Sequence, residues 1–305
     1  MVSSAVMRVM LYIGLLGAVA SVSHPQICDG VQQSAGRIHI KGRGDMFFWH
    51  FESRQQPWED PLILYISGGP GTSAMAALGG GMGPCNVGAN VTWNVNSWNG
   101  AANLLFIDQP FGTGFSTGIV PNNSLEAADD IVKFMEQVVE VIPKFKRLVV
   151  AGDSYAGHIV PLVGYALVFK PWARLDSVIV GSGWIDPPLQ IKAMHQIACR
   201  SKTPLVERKR CLEMEAYTRY PLLDKCAYHP RPECVDLWEL ILKSCMLQNH
   251  DMGDLRLSLR HTNHHHIQAF FQRQNVNHAL GINFTTNFSI ESDLVYDTFY
   301  DSGDK

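Results

Sequence analysis

The sequence predicts an α/β fold: a mostly parallel central sheet with helices on both faces and a helical insertion. Three observations predict it. Solid apolar runs at Leu62 to Ser67, Asn103 to Asp108, Leu148 to Ala151 and Ser177 to Gly181 read as buried strands. Between them lie stretches whose apolar residues recur at helical spacing, and strands alternating with helices give a parallel sheet covered on both faces. The third observation is Gly152-Asp-Ser-Tyr-Ala-Gly157, small residues around a serine where a strand gives way to a helix. With 305 residues, 46% hydrophobic and 17% charged, the chain is long enough for one large α/β domain plus an insertion. A net charge of −3 offers no basic stripe, which argues against nucleic acid and anionic membrane as partners.

Taken in order, Arg8 followed by the apolar run Val9 to Ala20, ending in Ala18-Val19-Ala20, reads as a secretory signal over residues 1–22. The run is short of the roughly 20 residues a membrane span needs, so no span is expected once it is removed. Residues 23–188 read as the core domain. Gly36 to Ile40 and Met46 to Glu52 form an antiparallel pair around Lys41-Gly-Arg-Gly-Asp45, with Trp49 and Phe51 filling one face. Leu62 to Ser67 ends in Gly68-Gly69-Pro70-Gly71, where adjacent glycines let a backbone N–H approach a ligand at the carboxyl edge of the sheet. Asn103 to Asp108 leads into the loop Gln109 to Ser116. A helix follows, capped near Asn123 with Glu126 in its first turn, its core stripe being Ile131, Phe134, Met135, Val138 and Ile142. Then come Leu148 to Ala151, a helix over Tyr155 to Phe169, and Ser177 to Gly181 leading into Trp184 to Pro188.

From 189 to 274 strand runs vanish and charges rise, which marks a helical insertion of the kind that lids a site. It holds Cys199, Cys211, Cys226, Cys234, Cys245 and the polar tract His261 to His266; Cys28 and Cys85 lie upstream. With no Cys-x-x-Cys pair the seven cysteines point to disulfides rather than zinc, and the odd count leaves at least one without an internal partner. Residues 275–305 return to the core. Acceptor patterns for N-glycans stand at Asn90, Asn122, Asn283 and Asn287, in keeping with a secretory route.

The chemistry concentrates at Ser154. A strained strand-to-helix turn lifts its hydroxyl clear of the backbone, the nucleophile elbow of an α/β hydrolase. The same turn puts the Tyr155 N–H at a helix N-terminus, where it can meet the oxyanion formed when the serine attacks a carbonyl. This chemistry calls for no metal and no cofactor.

The stretches Leu62 to Ser73 (LILYISGGPGTS), Asn103 to Ser116 (NLLFIDQPFGTGFS), Gly152 to Pro161 (GDSYAGHIVP) and Gly181 to Pro187 (GSGWIDP) resemble, in order and spacing, the four landmarks of the serine carboxypeptidase family. The return segment Val276 to Gly281 resembles it more loosely. The resemblance implies an α/β hydrolase with a helical insertion, found in vacuoles, lysosomes and secretions, that removes C-terminal residues from peptides at acidic pH. It implies Ser154 as nucleophile and the backbone N–H groups of Gly69 and Tyr155 as the oxyanion hole. The family holds the substrate's terminal carboxylate with an asparagine, a glycine N–H and two glutamates; Ser67, Gly68, Gly81 and Asp153 stand at those positions here. With Gly81 the proton-sharing acidic pair is gone, which weakens the expected hold on a free C-terminus. The family's disulfide between the Gly-rich loop and the return segment corresponds to Thr72 and Thr286, and Cys85 after Gly83-Pro84 resembles a fungal-type subgroup.

The family's triad Asp and His follow a Gly-Asp that resembles Gly303-Asp304, so the expectation is that these 305 residues hold neither and that the C-terminal strands are missing. Loss of the histidine costs roughly 10⁶ in kcat and leaves about 10³ to 10⁴ over water, so such a chain is nearly inert. Strand 177–181 then becomes an apolar parallel edge that invites association. His158 reads as packing, His264 to His266 as a solvated loop, and His278 as structural. Two alternatives keep the same scaffold: a non-catalytic homologue that binds peptides or a protein, and an esterase or acyltransferase, which would need no carboxylate clamp.

Overall fold

The computed structural model describes residues 22–200, 264–282 and 287–302, with 202, 204, 207–209, 211, 212 and 215 between them. The signal up to residue 21, Asn283, Thr286, Gly303, Asp304 and Cys226, Cys234 and Cys245 lie outside the described residues. Contacts divide the chain into two units, Met1–Gly183 with Asn263–Tyr296, and Trp184–Thr262 with Asp297–Lys305. The divisions thus fall after 183, 262 and 296.

The strands of the first unit are β1 (Gln33–Ile40), β2 (Gly44–Phe51), β3 (Leu62–Ile66), β4 (Cys85–Val87), β5 (Val91–Trp93), β6 (Asn103–Ile107), β7 (Thr117–Gly118), β8 (Leu148–Asp153) and β9 (Leu175–Gly181). The main sheet runs β1-β2-β6-β3-β8-β9, with β7 on β2 and the β4-β5 hairpin apart. β1 and β2 pair antiparallel, as do β2 and β6, whereas β3 lies parallel to both β6 and β8 and β9 is parallel to β8. Every residue of β3 and β6 is buried, as a strand covered on both faces requires. β9 has β8 on one side and is an edge among the described residues.

The helices are α1 (Ala74–Ala77), α2 (Ser124–Val138), α3 (Ala156–Val168), α4 (Pro187–Arg200), α5 (His264–Phe271), α6 (Gln274–Ala279) and α7 (Asp293–Asp301). Asn123 caps α2 by accepting from the Glu126 N–H at 3.0 Å, and Ile131, Phe134, Met135 and Val138 are buried. Asp130 is buried on the same helix because Arg43 reaches it with two nitrogens, Nη2 to Oδ2 at 2.7 Å and Nε to Oδ1 at 2.9 Å. A fork-to-carboxylate pair of this kind satisfies a charge that would otherwise be costly to bury.

Part of the histidine tract is not a loop. His264 opens α5, which buries Ile267, Phe270 and Phe271 in the core beside Trp49, Phe106 and Phe115. Ring centroids of Phe271 and Phe288 lie 5.1 Å apart, those of Phe115 and Phe288 4.5 Å, and those of Trp49 and Phe51 4.7 Å. The core on this face of the sheet is therefore largely aromatic. Disulfides join Cys28 to Cys85 in the first unit and Cys199 to Cys211 in the second. In the second unit α4 starts where the Asp186 carboxylate accepts from the Leu189 N–H at 3.1 Å. No described helix is long and apolar enough to cross a membrane.

Candidate active site

Ser154 sits between β8 and α3 with φ at 55°, in the left-handed region that a side chain makes costly by about 1–3 kcal/mol. Its backbone fixes the turn: the Ser154 N–H donates to Gly181 O at 3.1 Å and the Gly157 N–H donates to Ser154 O at 3.0 Å. The spacing of small residues has a steric cause. A methyl at Gly152 would meet Ile66 O at 2.5 Å and Ala156 Cβ at 2.7 Å. Ser154 itself is exposed.

The Gly-rich loop leans on this turn. A methyl at Gly68 would stand 2.9 Å from both Ser154 Cβ and Tyr155 N and 2.8 Å from Asp153 O, so only a bare backbone fits. Gly69 follows with φ at 111°, and its N–H donates to no other described residue. The structure therefore brings Gly68, Ser154, Tyr155 and Asp153 together, with Gly69 next in the loop. Ser67 is buried, and its carbonyl accepts from Gln109 Nε2 at 2.9 Å. Gly81, with φ at 133°, has nothing within 4 Å of where a Cβ would stand.

Three supports of this site were not read from the sequence. Asp108 is fully buried and gathers Ser73 Oγ at 2.5 Å, the Ala74 N–H at 3.2 Å and the Phe115 N–H at 2.8 Å, clasping the Gly-rich loop to the loop after β6. Tyr155 has its phenol 3.0 Å from Ser124 Oγ, which ties the residue after the nucleophile to the start of α2. Tyr65 Oη donates to Asp153 Oδ1 at 2.5 Å across 88 residues of sequence. The only sequence signals were a carboxylate inside an otherwise apolar strand end and a hydroxyl inside an apolar run.

Where the family resemblance implies a disulfide at Thr72, backbone bonds do the tying. Ser73 N–H donates to Ile290 O at 2.7 Å and Ser292 N–H to Gly71 O at 3.0 Å, around a bridge between Thr72 and Glu291. Among the described residues Ser154 Oγ has no hydrogen-bond partner. His158 stacks on Tyr155, centroids 4.8 Å apart, and His264 Nδ1 lies 3.7 Å from Glu291 Oε1. Among the described residues no group of three or more His, Cys, Asp or Glu could hold a metal ion.

A serine raised on a left-handed turn between a parallel strand and a helix, with a glycine loop against it, defines the class as an α/β hydrolase. The serine carboxypeptidase family model matches residues 25–305, and the chain belongs to that family. It is 36% identical over 211 residues to the vacuolar serine-type carboxypeptidase ATG42 of Saccharomyces cerevisiae, covering 66% of this chain and 42% of that one. It is 34% identical over 215 residues to carboxypeptidase Y of the same yeast, covering 65% and 40%. The chain thus spans less than half the length of these relatives. The fold matches the solved structure of Kex1Δp, a prohormone-processing carboxypeptidase from Saccharomyces cerevisiae, with a TM-score of 0.74 at 22% identity, covering 89% of this chain and 68% of that one.

Proposed function

We propose that this chain carries the nucleophile side of a serine-type carboxypeptidase that takes peptide and protein C-termini as substrates. In this reading Ser154 Oγ attacks the last peptide carbonyl, and the N–H groups of Gly69 and Tyr155 hold the oxyanion. The terminal amino acid then leaves as the acyl-enzyme forms. Ser67, Gly68 and Asp153 line the place of the departing residue. Water later hydrolyses the acyl group. The observation that carries the reading is the left-handed Ser154, pressed by a glycine loop that a single methyl would displace.

Acylation needs a base that takes the Oγ proton and passes it to the departing amine, deacylation needs the same base to take a proton from water, and no described histidine bonds to Oγ. We therefore read the 305-residue chain as nearly inert by itself, able to bind but slow to acylate. The route is secretory, ending in secretion or a vacuole; the vacuolar relative supports this, and the exposed sequon asparagines Asn90, Asn122 and Asn287 could carry glycans there. A fluorophosphonate probe tests the chemistry, with Ser154→Ala as control. Labelling is expected at Ser154 only, and slower by about 10³ or more than in a serine hydrolase with an intact triad. Rapid labelling of Ser154 would show that a base is present after all, and labelling elsewhere would remove Ser154 as nucleophile.

A further inference from the structure

Resting on the reading of the Gly69 N–H as an oxyanion donor, we propose that Gln272 is a positioning residue for that donor, acting through residues 288–292. The Gly-rich loop has no covalent tie of its own, since residues 68–73 contain no cysteine. Its turn closes around Gly69, where the Thr72 N–H donates to Gly68 O at 3.3 Å. The far side of that turn rests on the return segment. The Ser73 N–H donates to Ile290 O at 2.7 Å, the Ser292 N–H donates to Gly71 O at 3.0 Å, and Thr72 bridges antiparallel to Glu291. A methyl at Gly71 would meet Ser292 O and Val295 Cβ, each at 3.0 Å, so the two stretches of backbone are in close contact. Whatever holds residues 288–292 therefore holds the loop.

The hold comes from one face of α5. Gln272 Nε2 donates to Phe288 O at 3.0 Å, the Ile290 N–H donates to Gln268 Oε1 at 3.4 Å, and His264 Nδ1 stands 3.7 Å from Glu291 Oε1. Positions 264, 268 and 272 recur every four residues, which sets them one above another. Gln272 follows the last residue of α5 and still belongs to its final turn, its N–H donating to Gln268 O at 3.0 Å. The partners run in the reverse order along the segment. There the side chains alternate: Phe288 and Ile290 are buried in the aromatic core, whereas Ser289 and Glu291 are exposed. Burial of Phe288 and Ile290 is non-directional and does not fix where their carbonyls stand, but a directional N–H···O bond does. By fixing the Phe288 carbonyl, Gln272 sets the place of the Ile290 carbonyl two residues on, and with it the Ser73 end of the loop.

The test uses Gln272→Glu in the 305-residue protein at neutral pH, which keeps the side chain's shape but replaces the N–H donor by a carboxylate facing the Phe288 carbonyl. Single-amide hydrogen exchange reads the loop, and the rate of fluorophosphonate labelling at Ser154 reads the oxyanion donor. Exchange at Ser73 and Ser292 should quicken by about fivefold relative to Leu64 in β3, and labelling should slow by a similar factor. Gln272→Lys, which restores a donor, should recover both. Gln274→Glu makes the same change of charge at an exposed neighbour and should leave both as in the wild type. Unchanged exchange in Gln272→Glu overturns the inference while the reading of Gly69 stands. Faster exchange with unchanged labelling also overturns it, and removes Gly69 as the donor. Equal effects from Gln274→Glu, or no recovery in Gln272→Lys, would trace the response to charge or general loosening and overturn it as well. If the wild type shows no labelling at Ser154, the inference and the reading beneath it fall together.

Discussion

Asp108 and His50 are both buried in the first unit, and they titrate in opposite senses. Burial pushes the Asp108 carboxyl up to about 6, against the pull of the Phe115 N–H, the Ser73 hydroxyl, the Ala74 N–H and the Arg37 charge. Its ordinary value is 3.8, so the folded chain holds this proton more tightly than the unfolded chain. The stabilisation is complete below about pH 4 and is lost as pH rises through 6. Burial pushes the His50 imidazole down from 6.5 to about 4, so between those values the unfolded chain takes a proton that the folded chain refuses. That contribution is present above pH 6.5 and is lost as pH falls through 4. Each effect is of the order of 3 kcal/mol, and between pH 4 and 6 they oppose one another. Asp108→Asn should leave His50 unopposed, so that the melting temperature falls more steeply from pH 7 to 4.5 than in the wild type. His50→Gln should do the reverse. Thermal unfolding of the three proteins across this range is the check, and parallel curves would refute the assignment.

At the scale of the element, the two loops flanking β3 and β6 and the β8-α3 turn act as one assembly, and Gly68 is where they touch. Gly68→Ala places a methyl 2.8–2.9 Å from the backbone of Asp153 and Tyr155 and from Ser154 Cβ. These atoms belong to a fixed turn and cannot give way as a flexible side chain would. A loss of about 1–3 kcal/mol is expected from such overpacking. Gly80→Ala is the matched control, since nothing lies within 4 Å of its Cβ position. Urea midpoints should separate the two variants, and equal midpoints would show that the Gly-rich loop is free to move off the turn. The elements of this assembly were readable in the amino-acid order because fully buried strands leave unbroken apolar runs, and because the turn at Ser154 tolerates only small neighbours. What was not readable is what pairs across long separations. Arg43 with Asp130, Tyr65 with Asp153, and Asp108 with Ser73 and Phe115 each join polar groups whose partners no local pattern names. α5 was hidden for another reason: three histidines precede Ile267, Phe270 and Phe271, and polarity at the helix start masked an apolar face spaced by three and four.

On the scale of the whole molecule the two edges of the main sheet differ among the described residues. At the β1 side, Ser23 bridges to Ala35 and exchanges backbone hydrogen bonds with it at 2.7 and 2.9 Å, so part of that edge is covered. At the β9 side no described strand follows. Ile179 is 46% exposed there, on a strand parallel to its neighbour and of a type that is ordinarily buried on both faces. Tyr165 on α3 and Phe169 at its C-terminal cap are exposed as well, their rings 5.3 Å apart. Unpaired N–H and C=O groups flanked by apolar side chains form a template for another chain, and a net charge of −3 supplies little repulsion. The 305-residue protein should therefore associate as its concentration rises over roughly 1 to 100 µM. Ile179→Lys puts a charge on the open edge at an exposed position, where the effect on folding stability should stay within about 0.5 kcal/mol. Sedimentation velocity on both proteins separates the cases. Association in the wild type that the lysine suppresses would place the contact at β9; a wild type that stays monomeric over the range, or a variant that associates as before, would refute it.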